Sequence, residues 1–507
     1  MLTQIEIDGF KTFKDFKVEL APFQVIVGPN GSGKSNLFDA LQLLSRLAEM
    51  DLRIAFQGLR GDPDELFTKL SNGRRTNRIH MAVEMLVDRK VQDSGGGEIE
   101  LIEEKVGLRK EVTLKYTRLR YELEITLERD ENGLDQFHIS HEALKSIPQE
   151  EDRWCKKYGI ALQNKWLPQP TGDRAIFIDT KFAPVAILES VVDKSTATVE
   201  HLMIHLYPSE RLYPSEQLYP SGIRRFYAAE VQRTVMSRVV DTEHPYVFAA
   251  GEELRSLRFL HLKPDVLRQP SSTKASQNLS SDGGNLPTTL ARMQAEDKFA
   301  LTDVSRDMAN LVPGIIKIRV EQDKPSDKYV IYAETSDRRS FSSQVLSDGT
   351  LRLLVLAALR NDPQFHGVLC LEEPENGVHP LLLRNMARVL REMATDFNDA
   401  QQIDEPLRQV LITTHSPSFI SQPEVIDSLL LAFMPTQIRG KRTPSLQFTK
   451  MVPVITSSIP AQFEVSTNGD KAIEAYTIDM VRKYLESGTL DKARDQLKKA
   501  RTNLNER

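Results

Sequence analysis

An α/β fold is predicted by three features of this 507-residue chain. The apolar run Phe23-Gln24-Val25-Ile26-Val27 leads at once into a glycine-rich octapeptide and a helical stretch, Asn36-Leu37-Phe38-Asp39-Ala40-Leu41. Far downstream, Val368-Leu369-Cys370-Leu371 and Val410-Leu411-Ile412-Thr413-Thr414 are further apolar strands that end in polar residues. A helical run, Leu353 to Arg360, precedes the first of these. Apolar strands that alternate with helices read as α/β.

The octapeptide Gly28-Pro29-Asn30-Gly31-Ser32-Gly33-Lys34-Ser35 is a complete phosphate-binding loop between a strand and a helix. Its glycines let backbone N–H groups turn toward an anion, and the following helix points its positive end at the same place. Lys34 is expected to reach the β- and γ-phosphates of a bound nucleotide, and the Ser35 hydroxyl to hold Mg²⁺.

Composition narrows the class. A formal net charge of −5 argues against a globally basic nucleic-acid binder, so a polyanion contact needs a local patch. The only two cysteines, Cys155 in a charged stretch and Cys370 in an apolar strand, suggest neither a disulfide framework nor a zinc cluster. The opening Met1-Leu2-Thr3-Gln4-Ile5-Glu6-Ile7 alternates like a strand and carries acid, unlike a signal peptide. No apolar run approaches the roughly 20 residues that cross a bilayer. A cytoplasmic protein without a membrane partner is expected.

Along the chain, Ile5, Ile7 and Phe10 open a first strand and turn, and alternating segments follow at Ile79 to Val87, Val112 to Leu127 and Gln136 to Ile139. Four parts are expected: an N-terminal lobe, 1–184; an inserted helical subdomain, 185–300, cut by prolines; a C-terminal lobe, 301–455; and a charged helical tail, 456–507. Within the insert, Ser271 to Gln277 reads as a mobile loop. Leu206-Tyr207-Pro208-Ser209-Glu210-Arg211 recurs as Leu212 to Gln217 and, in part, as Leu218 to Ser221. Six residues with a proline in each cannot make a packed helix pair, so the repeat reads as a duplicated surface loop or a tyrosine-lined docking strip.

One basic face stands out. Lys115, Arg118 and Arg120 lie opposite the apolar side of 112–127, near Arg109 and Lys110, and Arg74, Arg75 and Arg78 form a second cluster. Such stripes read either as the solvated faces of half-buried strands or as a track for double-stranded DNA, where phosphate contacts need only Lys and Arg on one surface.

The second half supplies what the phosphate loop lacks. Leu346-Ser347-Asp348-Gly349-Thr350 opens the helix Leu353 to Arg360. The strand at 368–371 ends in Glu372-Glu373-Pro374-Glu375-Asn376-Gly377-Val378-His379-Pro380, and the strand at 410–414 ends in His415-Ser416-Pro417. Glu372 is placed to hold Mg²⁺ with Ser35, and Glu373, at the strand end, to act as general base toward an attacking water. A buried strand-end histidine without a ligand is the plain alternative for His415.

In this order, with Ile7-Asp8-Gly9-Phe10-Lys11-Thr12-Phe13 at the start, the motifs resemble those of the ABC-type ATPase heads of the SMC and RecF group. They are closer still to short AAA-family ATPases of bacterial antiphage defence and to the ATPase part of overcoming-lysogenization-defect proteins. Leu257 to Pro264 and Asp282-Gly283-Gly284-Asn285-Leu286 also look like the short ATPases. The resemblance implies an ABC/SMC-type P-loop head with a helical insertion. It implies ATP held by Lys11, Gly28, Asn30, Gly31, Gly33, Lys34, Ser35 and Asn36. It also implies Ser347 and Gly349 serving the nucleotide of the opposite subunit, and His415 sensing the γ-phosphate.

An ATP-dependent homodimer or higher oligomer follows. It would act as a sensor or regulatory ATPase of a defence system that controls a separate effector, a nuclease or toxin. A RecF-like DNA-repair ATPase is the alternative. The pattern departs from the group in three ways. The prolines leave no room for long coiled-coil arms. About 90 residues follow His415, without the acidic cluster of a nuclease domain. Glu372 stands where many ATPases have Asp.

Overall fold

The computed structural model describes residues 1–70, 72–92, 111–129, 135–158, 175–186, 198–212, 224–227, 232–240, 243–399, 401–402, 405–435, 447–455 and 476–487. Its centre is a seven-stranded sheet in the order Arg258–Leu260, Gly367–Glu372, Arg408–Thr414, Phe23–Val27, Leu429–Phe433, Lys450–Ile455, Tyr476–Thr477. The first five strands run parallel, and Lys450–Ile455 turns antiparallel to Leu429–Phe433. Phe23–Val27 and Leu429–Phe433 are buried at every position, which explains why they are apolar throughout except for Gln24, whose amide donates to the Ser428 carbonyl.

Alternate residues of these strands feed two cores. Ile26, Val368, Cys370, Leu411, Leu430 and Ala432 join one core, with the helix Lys34–Leu47 and an eight-stranded antiparallel sheet. Val25, Val27, Leu369, Leu371, Val410 and Ile412 join the other, with the helices Asp348–Asn361 and Leu383–Glu392. A smaller sheet, Ser271–Ser272, Lys328–Thr335, Ile315–Asp323 and Ser340–Ser342, closes that second side.

The expected helical insertion, 185–300, is mixed: it holds the helices Pro245–Arg255 and Leu286–Glu296, but it also lends strands to the sheets. Thr198–Leu212 and Arg224–Tyr227 continue the eight-stranded sheet beyond Ala175–Ala186, and Arg258–Leu260 belongs to the central sheet. The prolines that suggest broken helices partly sit in strands: Pro184 pairs with Glu200, and Pro208 falls where the register shifts between Leu206 and Arg211. A proline lacks a ladder donor, so a bulge accommodates it. The first copy of the hexapeptide repeat is therefore strand, and residues 213–221 lie outside the described residues.

Other departures are local. Ser271 is buried and exchanges a hydroxyl hydrogen bond with Thr288, so the polar run at 271–277 is partly sheet. The expected strand at 112–127 is two strands, Glu111–Thr113 and Arg118–Arg129, in different sheets. In the tail, the helix Ile478–Ser487 inserts Val481 and Tyr484 into the second core, and residues 456–475 and 488–507 lie outside the described residues. Among the described residues, the longest helices are the 14-residue Lys34–Leu47 and Asp348–Asn361, and no helix is long and apolar enough to cross a membrane.

The basic face is dismantled. Arg118 has 0% exposure: Nε donates to Asp152 at 2.8 Å, Nη1 to Thr3 at 2.7 Å, and the guanidinium lies over Trp154. Arg120 is bound by Glu6, Glu84 and Glu122, and Arg78 pairs with Glu124. Arg109 and Lys110 lie outside the described residues. Arg118→Met should leave Asp152 buried without its cation and lower the denaturation midpoint, with a cost of about 3–5 kcal/mol typical of a broken buried pair.

A second buried charge ties the sheet to the loop helix. Glu142 accepts from the backbone N–H of Val235 and Met236 and from the Tyr121 hydroxyl, and Thr234 Oγ1 donates to the Leu47 carbonyl at the end of helix Lys34–Leu47. Burial pushes the Glu142 carboxyl up to about 7, against those three hydrogen bonds and the Arg238 charge, which hold it down. The folded chain therefore binds this proton more tightly than the unfolded one, whose value is near 4.5. Stability from this group is full below about 4.5 and falls as pH rises through 7. Stability curves measured from pH 5 to 8 should decline more steeply for wild type than for Glu142→Gln, by an amount on the order of 3 kcal/mol at most.

Candidate functional site: a phosphate loop at the ends of parallel strands

Four parallel strands end on one edge of the central sheet, after Leu260, Glu372, Thr414 and Val27. The crevice beyond the carboxyl ends of such strands is where α/β sheets bind ligands. The phosphate loop begins there, with Gly28 N–H donating to the Thr414 carbonyl at 3.3 Å. A Cβ on Gly28 would strike the Ala432 carbonyl. Gly31 and Gly33 take φ of 80° and 92°, open to glycine and strained for other residues, and a Cβ on Gly33 would collide with Thr449. Asn30 and Gly31 form the exposed tip, and the buried Ser32 hydroxyl has no hydrogen-bond partner.

Lys34 folds back over the loop, Nζ donating to the carbonyls of Gly28 at 2.7 Å and Pro29 at 3.0 Å. Burial lowers its ammonium below the usual lysine value, while the charges of Glu373, Glu372 and Glu375 act the other way. Asn36 donates to the Thr12 hydroxyl, which shares a hydrogen bond with Thr449. The exposed glycine tip, the buried ammonium and the Ser35 hydroxyl with the Glu372 carboxylate, both hard oxygen donors, suit a nucleotide phosphate and Mg²⁺.

Glu373 lies one residue beyond the strand, at φ 46°, a left-handed conformation costly for a residue with a side chain. Its N–H donates to the Thr413 carbonyl at 2.8 Å, which anchors the turn. Oε1 lies 2.6 Å from His415 Nδ1, and Oε2 accepts from Asn376 at 2.8 Å. Burial alone would raise this carboxyl, but the Asn376 and His415 hydrogen bonds and the Lys34 charge outweigh it and hold it below the usual range. His415 is therefore no idle core histidine. It is partly exposed and faces the acid.

Glu372 is tied elsewhere. Arg60 bridges its Oε1 at 3.2 Å and Asp39 at 3.1 Å, and His261 Nδ1 lies 3.7 Å from Oε2. Lys11, expected at the phosphates, instead gives Nζ to Asp39 at 2.7 Å and to the Arg60 carbonyl at 3.0 Å. An open cleft of about 360 Å³ beside the loop is lined by Lys11, Thr12, Arg60, Phe67, Lys69 and Arg75, with Glu65 also in its wall.

Ser347 caps the helix Asp348–Asn361, its hydroxyl accepting from Thr350 N–H at 3.2 Å. Gly349 is packed so closely that a Cβ would come 2.6 Å from the Gly377 carbonyl, which joins this turn to the one after Glu373. Arg268 pairs with Asp348 and donates to the Leu346 carbonyl at 3.2 Å. Val345, just before this turn, is 68% exposed, and Leu381, in the turn Pro380–Leu382, is 82% exposed. The structure thus gathers Lys34, Glu372, Glu373 and His415 at neighbouring strand ends and gives Ser347 and Gly349 a face of their own. Arg60, Thr449 and Arg268 carry no motif in the sequence, and His261 lies in the segment 257–264 that resembles the short ATPases but has no role assigned by it. Only the position of His261, directly after a short strand beside that of Glu372, hints at its place.

The family model described as "AAA ATPase domain" matches residues 1–165, and the one described as "AAA domain, putative AbiEii toxin, Type IV TA system" matches residues 237–421. A chromosome partition protein Smc of Bordetella petrii is 36% identical over 89 residues, which are 17% of this chain and 7% of that protein. The chain thus spans a small part of that relative's length. Among solved structures, an Smc head bound to the C-winged helix domain of ScpA aligns at 12% identity over 89% of this chain and 97% of its own, with a TM-score of 0.41. The SMC head domain from Thermotoga maritima aligns at 13% identity over 90% and 99%, with a TM-score of 0.36. At these scores the fold rests on the strand order and the loop itself. ATP hydrolysis is general among AAA and SMC-head ATPases, typically with Mg²⁺. Two family matches in series, the first of which holds the phosphate loop, relate the chain to the AAA-family ATPases.

Proposed function

We propose that this chain binds and hydrolyses ATP in a two-fold sandwich of two copies, and that it serves as the sensor or regulatory ATPase of a bacterial antiphage defence system with a separate effector. The pairing of Glu373 with His415 at 2.6 Å, at the strand ends beside Lys34, carries the hydrolytic part. The defence role draws support from the family description that names a putative AbiEii toxin and a Type IV TA system.

In this reading the loop amides and Lys34 hold the β- and γ-phosphates, and the cleft beside Lys11, Thr12 and Phe67 takes the nucleoside. Ser35 and Glu372 hold Mg²⁺, which when bound neutralises phosphate charge, and Glu372 must leave Arg60 to do so. Phosphoryl transfer gives the protein little covalent work, so positioning and charge dominate. Glu373, kept ionised by Asn376 and His415, takes the proton of the attacking water. Ser347 and the N-terminus of its helix face a nucleotide held by the partner copy, and the exposed Val345 and Leu381 supply apolar contact there.

DNA-dependent repair is the weaker reading, because Arg118 is buried and Arg120 is neutralised. Residues Arg74 and Arg75 of the second cluster remain exposed.

Lys34→Ala should abolish ATP binding in isothermal titration with Mg²⁺; wild-type affinity would sink the loop assignment. Glu373→Gln should bind ATP but lose about 10²-fold or more in turnover, the usual cost of a lost general base. The trapped complex should double in mass by light scattering.

Ser347→Arg should stop hydrolysis and spare binding. Mixed with Lys34→Ala, it should recover part of the activity, since one composite site of the mixed dimer carries neither lesion. A Glu373→Gln protein that stays monomeric at saturating ATP would overturn the sandwich.

A further inference from the structure

Glu375 takes no part in the steps above, yet it sits among the acids of the site, 8% exposed in the turn that follows Glu373. Its Oε1 accepts the Thr414 hydroxyl. Its Oε2 is shielded from solvent and has no hydrogen-bond partner. An enclosed carboxyl with one oxygen unsatisfied is costly, so its retention calls for a return elsewhere.

That return lies along the switch strand. In donating to Glu375, the Thr414 hydroxyl turns its lone pairs to the Ser416 N–H, which it accepts at 3.0 Å. The Thr414 carbonyl meanwhile accepts from Gly28 at the root of the phosphate loop. His415 is thus flanked by two residues locked through one hydroxyl, and that hydroxyl takes its orientation from Glu375. The ring so held places Nδ1 2.6 Å from Glu373 Oε1.

We propose that Glu375 is a positioning residue: it orients the Thr414 hydroxyl so that the Thr414–Ser416 turn holds His415 against Glu373, and it governs turnover without holding nucleotide. This deepens the hydrolytic reading above and rests on it. Glu375 makes no hydrogen bond to the phosphate loop, and its charge acts on Lys34 as the last of three carboxylates; Glu375→Gln removes that charge and keeps the acceptor for Thr414, which separates the two effects.

Four variants test it. Glu375→Gln keeps a carbonyl oxygen for Thr414 and Glu375→Ala does not; Thr414→Ser keeps the hydroxyl and Thr414→Val removes it. Glu375→Ala and Thr414→Val should each lower kcat about 10-fold or more, in the range of a small misplacement at a reacting centre. The ATP Kd by calorimetry should stay within about 3-fold, and Gln and Ser should remain near wild type. The double variant Glu375→Ala/Thr414→Val should be no slower than its slower parent, because both break one link. Additive losses, an unchanged kcat in Glu375→Ala, or an equal loss of affinity would each overturn the proposal, and Thr414→Val carries the same test if Glu375→Ala does not fold.

Ring ¹⁵N shifts of His415, assigned with His415→Gln in nucleotide-free protein, supply a readout independent of hydrolysis. They should move in the Ala and Val variants and not in Gln or Ser. If wild type fails to turn over ATP, the hydrolytic reading falls, and the ring shifts alone decide the positioning: moved in Glu375→Ala they uphold it, unmoved they overturn it.

Discussion

Arg408–Thr414 lies in parallel register between Phe23–Val27 and Gly367–Glu372, pairing Thr414 with Val27 and Thr413 with Glu372. That pairing sets the phosphate loop and the Glu372–Glu373 turn two strand spacings apart, roughly 10 Å, with His415 between them. A gap of that width, floored by backbone and edged by one ammonium and two carboxylates, is where a terminal phosphate and a water can meet. The burial of these strands supports the arrangement: a residue inserted in Arg408–Thr414 would exchange its two faces between the two cores and carry His415 away from Glu373.

Charge balance explains the contacts around this gap. Asp39, Glu372, Glu373 and Glu375 crowd the strand ends, and Lys11, Lys34 and Arg60 answer them. Arg60 is shared by two of these acids: with Lys11 it holds Asp39, and it also holds Glu372, while His415 and Asn376 hold Glu373 and Thr414 holds Glu375. Glu372 and Glu373 are adjacent in sequence, yet their carboxylates have different partners, Arg60 for the first and His415 with Asn376 for the second.

The octapeptide was legible because its chemistry is contiguous: spacing alone puts glycines, Lys34 and the helix start in one loop. Glu372, Glu373 and His415 were legible because each follows an apolar strand that can only be central. Arg60 was not, since it reaches Glu372 from more than 300 residues away along the chain and has no periodicity of its own. Lys11, expected at the phosphates, gives its ammonium to Asp39 and the Arg60 carbonyl, contacts that its proximity to the loop did not foretell, and its side chain lines the neighbouring cleft. The antiparallel sheet was half-read. Strands that alternate cleanly, such as Arg78–Leu86, stood out, whereas Thr198–Leu212 carries its proline at a bulge and reads as a breaker. Arg118 does share the face of Arg120, as alternation placed it, and both reach Glu84, but Asp152 and Trp154 cover that end of the strand and bury it.

The two halves of the molecule meet at the far end of the loop helix. Lys34 opens this helix and Leu47 ends it, and the Leu47 carbonyl takes the Thr234 hydroxyl while Gln232 accepts from Leu52 N–H just beyond. Thr234 in turn caps the short turn whose N–H groups end on Glu142, inside the antiparallel sheet. A helix of 14 residues is stiff along its axis, about 21 Å at 1.5 Å per residue, so its two ends cannot shift independently. Whatever displaces the sheet around Glu142 must therefore strain either these hydrogen bonds or the loop that carries Lys34. Glu142 is fully enclosed and accepts three hydrogen bonds, so leaving them unmade carries the full desolvation cost of a buried carboxyl.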